Sequence, residues 1–243
     1  MHTFVGLYFS PWTERARWSL DYHQVPYHYR EYTTLIDEPW LRWKARKPTG
    51  KVSVPLLITD AARINDSFAI AQYADTQSSR SPLVPAAHEE EIRAWMEAAE
   101  RGLCAARILA TRRLTQTPAA LAERLPRYVP GPLRRAMSPL GWLGSHYILA
   151  KYPVGKSDGA ELLAQLDAFL ARSAAALANR EFVFGAPTFA DLVIATTLQA
   201  VRPVGKAYID LGEASAAVMR EPELEAKYPA LLAWRDWLYA RFR

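Results

Sequence analysis

The stretch His2-Thr3-Phe4-Val5-Gly6-Leu7-Tyr8-Phe9-Ser10-Pro11-Trp12-Thr13-Glu14-Arg15-Ala16-Arg17 decides how the first part of this chain is built. Residues 2–9 are rich in Phe, Val and Tyr and read as a strand. Ser10-Pro11 then supplies an N-cap and a proline at the first helical position. The helix Trp12–Tyr22 carries Ala16 and Leu20 on one face, Pro26 stops it, and Tyr27–Tyr32 reads as a second strand. Two strands joined through a helix make a parallel, right-handed βαβ unit.

Working outward, Trp40–Lys51 reads as irregular and basic, and Val54-Pro55-Leu56-Leu57-Ile58 as a short apolar strand. The polar turn Thr59–Ala62 leads to Arg63-Ile64-Asn65 and closes a hairpin, and Asp66-Ser67 opens a helix over Phe68–Ala74. The order βαβ–αββα is that of the thioredoxin fold. Beyond it, Ile92, Trp95, Met96, Ala99, Leu103 and Ala106 recur at helical spacing, as do Leu162, Leu166, Phe169 and Leu170, and later Leu231, Trp234, Leu238 and Phe242. The expected fold class is therefore an α/β thioredoxin-like N-terminal domain, residues 1–76, followed by an all-α helical C-terminal domain, residues 89–243. The Ser/Pro-rich residues 77–88 form the linker. Thr115–Pro153 holds six of the 17 prolines, which predicts short helical pieces joined by turns.

Composition excludes several classes. Half of the 243 residues are apolar and 23% are charged, which is globular and not disordered, collagen-like or coiled-coil. No apolar run reaches the roughly 18 residues of a membrane span, and the first residues lack the pattern of a secretory signal, so a cytoplasmic protein is expected. Cys104 is the only cysteine, which excludes intrachain disulfides, CxxC redox chemistry and cysteine zinc sites. It reads as a core residue. The five histidines show no metal-ligand spacing, so no metal is expected. The net charge of +5 is concentrated: nine basic residues and one acid, Glu123, lie between Arg107 and Lys156.

Three motifs then fall in order. Phe9–Arg17 looks like the active-site turn of cytosolic glutathione transferases. Gly50-Lys51 with Val54-Pro55-Leu56, then Asn65-Asp66-Ser67, resembles their glutathione-binding half. Gly185-Ala186-Pro187-Thr188-Phe189-Ala190-Asp191 resembles the Gly-x-x-(Ser/Thr)-x-x-Asp signature of their helical domain. The chain is thereby identified as similar to that superfamily, of a Ser-type, bacterial-like kind with no class assigned. The resemblance implies a transferase with glutathione as cosubstrate, a small electrophilic substrate, a homodimer and a role in detoxification, with neither a nucleic-acid partner nor a membrane span.

The chemistry follows from glutathione itself. A free thiol has a pKa of about 8.5 and is mostly protonated near neutral pH, while only the thiolate is a strong nucleophile. Ser10, at a helix N-terminus, is suited to donate a hydrogen bond to the sulfur, and Thr13 on the first turn is the competing hydroxyl. Serine rather than cysteine at this position argues against a disulfide reductase. Tyr8 reads as a strand residue and Arg15 as a solvated or linker-bonding one. Ser67 offers its hydroxyl and N–H to the γ-glutamyl carboxylate, and Asp66 balances the ammonium. By the resemblance, Val54-Pro55 is the cis-proline turn that pairs with the cysteinyl part, and Lys51 is placed for the glycyl carboxylate. The chain departs from the family here, reading Gly-Lys-Val-Ser-Val-Pro where Gly-(Lys/Gln)-Val-Pro is usual. Thr188 and Asp191 read as a reciprocal N-cap with no catalytic role.

The segment at about 112–156 combines Arg112, Arg113, Arg124, Arg127, Arg134 and Arg135 with Tyr128, Trp142, Tyr147 and Tyr152. It stands open between a lid on the electrophile pocket, a solvated excursion, and a surface for nucleic acid or anionic membrane. Conjugation at an electrophilic carbon of a hydrophobic or aromatic, anionic substrate is the first functional reading. A glutathione-dependent isomerase or dehalogenase, and a non-catalytic binding module on the same scaffold, are the alternatives.

Overall fold

A four-stranded mixed sheet organises the first part of the chain, which a computed structural model describes over residues 1–125, 129–152 and 159–243, the side chains of Pro132 and Arg135 apart. Strands β1 (His2–Gly6) and β2 (Tyr27–Glu31) run parallel through helix α1 (Pro11–Tyr22), with Phe4 opposite Tyr29. Helix α2 (Glu38–Ala45) follows. Strand β3 (Leu56–Ile58) lies antiparallel to β1, β4 (Arg63–Asn65) lies antiparallel to β3, and α3 (Ser67–Asp75) completes the motif. The sheet order is β2-β1-β3-β4.

Side chains alternate across a strand, so neighbours in sequence serve opposite faces. Phe4 and Leu57 pack with Ala16 and Leu20 of α1 and Ile70 and Ala74 of α3. Val5 and Leu56, one residue away from each, pack on the other face with Leu41 and Ala45 of α2. Val52, one of the two residues by which this chain exceeds the usual family spacing, is fully buried in that second cluster. The extra length fills the core under α2.

Three local expectations change. Trp40–Lys51 is not irregular throughout, because α2 occupies Glu38–Ala45. Its core contribution is one pair four residues apart, Leu41 and Ala45, and it ends on Arg46 in the left-handed region, where a glycine would be the usual signal. β1 ends at Gly6, so Tyr8 lies in a turn. The Leu7 N–H donates to Thr13 Oγ1 (3.1 Å), and Thr13 presses on Gly6, where an added Cβ would come within 2.3 Å of its methyl. β3 begins only at Leu56, since Pro55 has no N–H for a ladder.

The remaining helices are α4 (Glu89–Thr115), α5 (Pro118–Glu123), α6 (Gly131–Ala136), α7 (Ser138–Lys151), α8 (Gly159–Ala176), α9 (Phe189–Thr197), α10 (Glu213–Met219), α11 (Pro222–Lys227) and α12 (Pro229–Phe242). Among its described residues the proline-rich segment holds two six-residue helices, α5 and α6, as expected, but also the 14-residue α7, which is not a short piece. Arg127, Tyr128 and the part of the basic segment from 153 to 156 lie outside the described residues.

Packing divides the chain into two units that do not follow chain order. One comprises 1–96, 176–196 and 234–243, the other 97–175 and 197–233. In the first, the Trp18 indole N–H donates to the Phe242 carbonyl (3.0 Å), and Arg243 pairs with Glu14 (2.9 Å) and Asp21 (2.6 Å). Phe68 meets Phe189 edge-on. The contacts of Phe242 and Arg243 fasten the last residues of the chain to α1. In the second unit, Arg113 makes a two-pronged pair with Glu221, both bonds 2.8 Å. The Glu123 carboxylate accepts from the Ala214 and Ser215 N–H groups at the start of α10 (3.2 and 2.7 Å).

Candidate functional site

The first unit holds two helix starts, each with serine at or beside its cap. At α1, Ser10 is extended (φ −80°, ψ 126°) and buried, and the Thr13 N–H reaches its Oγ at 3.5 Å. That is the edge of hydrogen-bond range, and it uses the oxygen as acceptor only. The Ser10 O–H is left to donate. Thr13 is 1% exposed, its oxygen accepts from Leu7, and its methyl seats Gly6. It braces the turn on which Ser10 stands.

At α3, Asp66 sits at φ +91°, ψ 138°, a region L-residues rarely enter. Its Oδ1 accepts from the Phe68 N–H (2.6 Å), yet Asp66 is exposed. Ser67, next to it, is 2% exposed, and its Oγ accepts from Arg15 Nε at 2.8 Å. The bond uses a lone pair of Ser67 and leaves its O–H to donate onward. Arg15, read from sequence as solvated or linker-bonding, is not solvated. It is 1% exposed, lies over the Phe189 ring at 5.9 Å, and ties α1 to the start of α3. The only sequence signal was its place four residues from Pro11 and four from Ser19, both buried on the same row of α1.

The turn before β3 joins this group. The Val54–Pro55 peptide bond is cis, Val54 is half-buried and Pro55 buried. Asn65 Nδ2 donates to the carbonyls of Ser53 (2.8 Å) and Pro55 (2.9 Å), and the Asp66 N–H points at the Pro55 carbonyl (3.4 Å). Hydrogen bonds tie Pro55 to Asn65 and Asp66 and tie Arg15 to Ser67, and the consecutive residues 65–67 join these into one assembly that begins on the helix Ser10 caps. Lys51 lies exposed on the loop preceding it.

A third helix start, that of α9, is closed. The Asp191 carboxylate accepts from the Val183 N–H (2.9 Å), the Thr188 N–H (2.8 Å) and the Thr188 O–H (2.9 Å), and has no exposure. Burial pushes its carboxyl up to about 6 against the pull of those donors. The capping is one-sided where sequence suggested reciprocity, because the Thr188 hydroxyl donates to Asp191 while the Asp191 N–H goes to the Thr188 carbonyl (3.1 Å) and not to that hydroxyl. Cys104 is half-buried and not a core residue; its thiol faces Glu100 (3.5 Å) and Arg107 (3.4 Å), and burial raises it to about 11. At that value it is an inert thiol near neutral pH. Among the described residues no group of His, Cys, Asp or Glu has the makings of a metal site.

A small mixed sheet with a cis-proline turn beside the start of α3, followed by a mostly helical part, defines the class: a thioredoxin-like domain followed by a helical one. The family described as "Glutathione S-transferase, N-terminal domain" matches residues 9–77, and "Glutathione S-transferase, C-terminal domain" matches 118–236. The chain belongs to the cytosolic glutathione S-transferase superfamily. Similar solved structures include a glutathione S-transferase of Ceriporiopsis subvermispora in complex with glutathione, at 18% identity and TM-score 0.63, covering 100% of this chain and 97% of that one. Another is a glutathione S-transferase of Methylobacterium radiotolerans with glutathione sulfonate, at 18% identity and TM-score 0.60, covering 99% and 91%. A third, from Methylobacillus flagellatus with glutathione bound, has 14% identity and TM-score 0.57, covering 99% and 95%. Among curated protein sequences none matches the chain.

Proposed function

We propose that this protein is a glutathione transferase of the serine type. It binds glutathione beside β3 and directs the thiolate at an electrophilic carbon of a hydrophobic or aromatic substrate. The observation that carries the reading is the assembly in which Arg15 bonds to Ser67 and the adjacent Asp66 bonds to the Pro55 carbonyl. It prepares a donor for a carboxylate (Ser67), an acceptor for an ammonium (Asp66) and a backbone turn in one place. An exposed carboxylate held at φ +91° supports it further, since backbone strain of this kind concentrates where ligands are gripped.

In this reading Ser10 donates its O–H to the sulfur while the N-terminus of α1 favours the anion, which lowers the thiol pKa without Ser10 itself ionising. Thr13, the competing hydroxyl, serves as the brace beneath it. Val54 presents its backbone to the cysteinyl part across the turn made by Pro55, and Lys51 attracts the glycyl carboxylate as a surface charge. The protein works as a cytoplasmic homodimer in detoxification. One observation favours a second reading, a binding module without catalysis: Val52 turns the loop before Val54 into the core, so the usual spacing to Lys51 is altered.

Titration of the purified protein with glutathione, followed by thiolate absorbance in the ultraviolet at neutral pH, tests the proposal. A saturable band that disappears in Ser10→Ala is expected, followed by turnover in a screen of electrophiles. Saturable binding without the band would mean a storage or isomerase-like site in which Ser10 does not act on the sulfur, and no binding at millimolar glutathione would refute the transferase and leave the binding module. A sizing-column mass of one chain would refute the homodimer.

A further inference from the structure

Helix α7 has the sequence of a buried helix on an exposed site. Ser138–Lys151 carries no charged residue before Lys151. A helix that apolar is ordinarily enclosed on all sides. Here one side is closed: a Cβ on Gly141 would lie 2.8 Å from the Leu121 carbonyl of α5, and Ser145, one turn on, is buried. The other side is open. Leu140, Trp142 and Leu143 are 52%, 46% and 52% exposed, and the His146 ring lies 3.7 Å from that of Trp142. With Leu133 on α6, these make four of the seven large apolar side chains exposed among the described residues. The cluster is therefore a local feature and not the usual scatter.

The surrounding charge is one-sided. Along the sequence, residues 124–151 hold five basic residues and no acid; Arg124 turns its Nε and Nη1 inward, which leaves Arg134 and Lys151 as the half-buried cations of the described side chains on α6 and α7. We propose that this face of α7 docks on a bilayer surface containing anionic phospholipid. The helix lies in the plane of the interface, with its leucines and Trp142 at the boundary between headgroups and acyl chains. Leucine and tryptophan on the inserted side with flanking cations is the chemistry of an interfacial helix, and each cation near such a surface adds about 1 kcal/mol of attraction. Among the described residues no helix is long and apolar enough to cross a membrane, so docking is peripheral. A second copy fits less well, because a two-fold contact would bring this cationic segment against itself. A nucleic acid would neutralise the cations but offers no hydrocarbon phase for Leu140 and Leu143.

Cosedimentation of the full chain with phosphatidylcholine vesicles, with and without phosphatidylserine, tests the proposal. Expected are binding that requires phosphatidylserine and weakens with salt, and a loss of tenfold or more in Leu140→Glu combined with Leu143→Glu. An unchanged circular dichroism spectrum and melting temperature establish that this variant is folded. Absence of native binding to the phosphatidylserine vesicles, or equal binding by the variant, overturns the proposal. So does a native particle mass that falls in the variant, which assigns the face to a second copy. Retention of a single-stranded oligonucleotide without vesicle binding assigns it to nucleic acid.

Discussion

Asp66 and Asp191 both receive backbone N–H groups at helix starts in the same unit, and their surroundings are opposite. Asp191 is sealed, with three donors converging on it and both its chain neighbours, Ala190 and Leu192, buried. Asp66 takes one N–H, stays exposed and holds a backbone conformation that costs energy. A carboxylate whose acceptor capacity is filled by its own chain serves the fold. One left open, next to a serine with an uncommitted O–H, is available to a ligand. The residue type is the same in both, and the difference lies in what the remainder of the unit brings near.

The comparison breaks first at Asp191. Asp191→Ala leaves the Val183 and Thr188 donors buried without an acceptor and is expected to cost about 3 kcal/mol or more. Denaturant unfolding measures it, and a loss under 1 kcal/mol would mean the two helix starts are not different in kind. Ser10→Ala comes next, with glutathione turnover down about 10- to 100-fold and the bound thiol's pKa raised, against a stability loss of about 1 kcal/mol from the cap. Equal activity in this variant with a defect in Thr13→Ala would exchange their roles.

Asp66→Asn sharpens the contrast. It keeps the cap and removes the charge, so stability should hold within about 0.5 kcal/mol while the glutathione Kd rises about tenfold. Calorimetric titration with a parallel melt separates the two, and a stability loss without a change in Kd would make Asp66 another Asp191. The smallest effect belongs to Lys51→Ala. Its exposure limits the attraction of the glycyl carboxylate to under about 1 kcal/mol, a Kd change of about fivefold at most. A larger change would mean that the loop closes over the ligand.

The pH dependence distinguishes them again. The Asp191 carboxyl titrates near 6 in the fold and near 3.8 unfolded. The folded state thus binds the extra proton between these values, and stability from this group is full below about 3.8 and declines as pH rises through 6. Denaturant unfolding of the native chain and Asp191→Asn between pH 4 and 7 should show a difference that shrinks with rising pH by roughly 3 kcal/mol and then levels. A difference constant over that range would place the carboxyl at its ordinary value.

Much of the site could be read along the chain. Ser10-Pro11, Asp66-Ser67 and Thr188-x-x-Asp191 are helix starts because a cap reaches only two or three residues forward. The strands could be read because a buried sheet face repeats every second residue. The two aspartates looked alike for the same reason: each motif reports its own cap and nothing of what lies beyond it. α2 escaped because it offers the core two residues, Leu41 and Ala45, and ends without glycine. Arg15 escaped because its partner Ser67 is 52 positions away.

The sequence by itself determined the order of elements other than α2, the places where α1, α3 and α9 start, and the chemical types present there, all of which depend on bonds spanning a turn or less. The tertiary structure alone decided that Arg15 is buried against Ser67, that Val52 completes a core cluster, that Asp191 is closed while Asp66 is open, and that α7 keeps an apolar side uncovered. Burial and long-range pairing depend on which distant segments come to share a surface. No local pattern of residues carries that information.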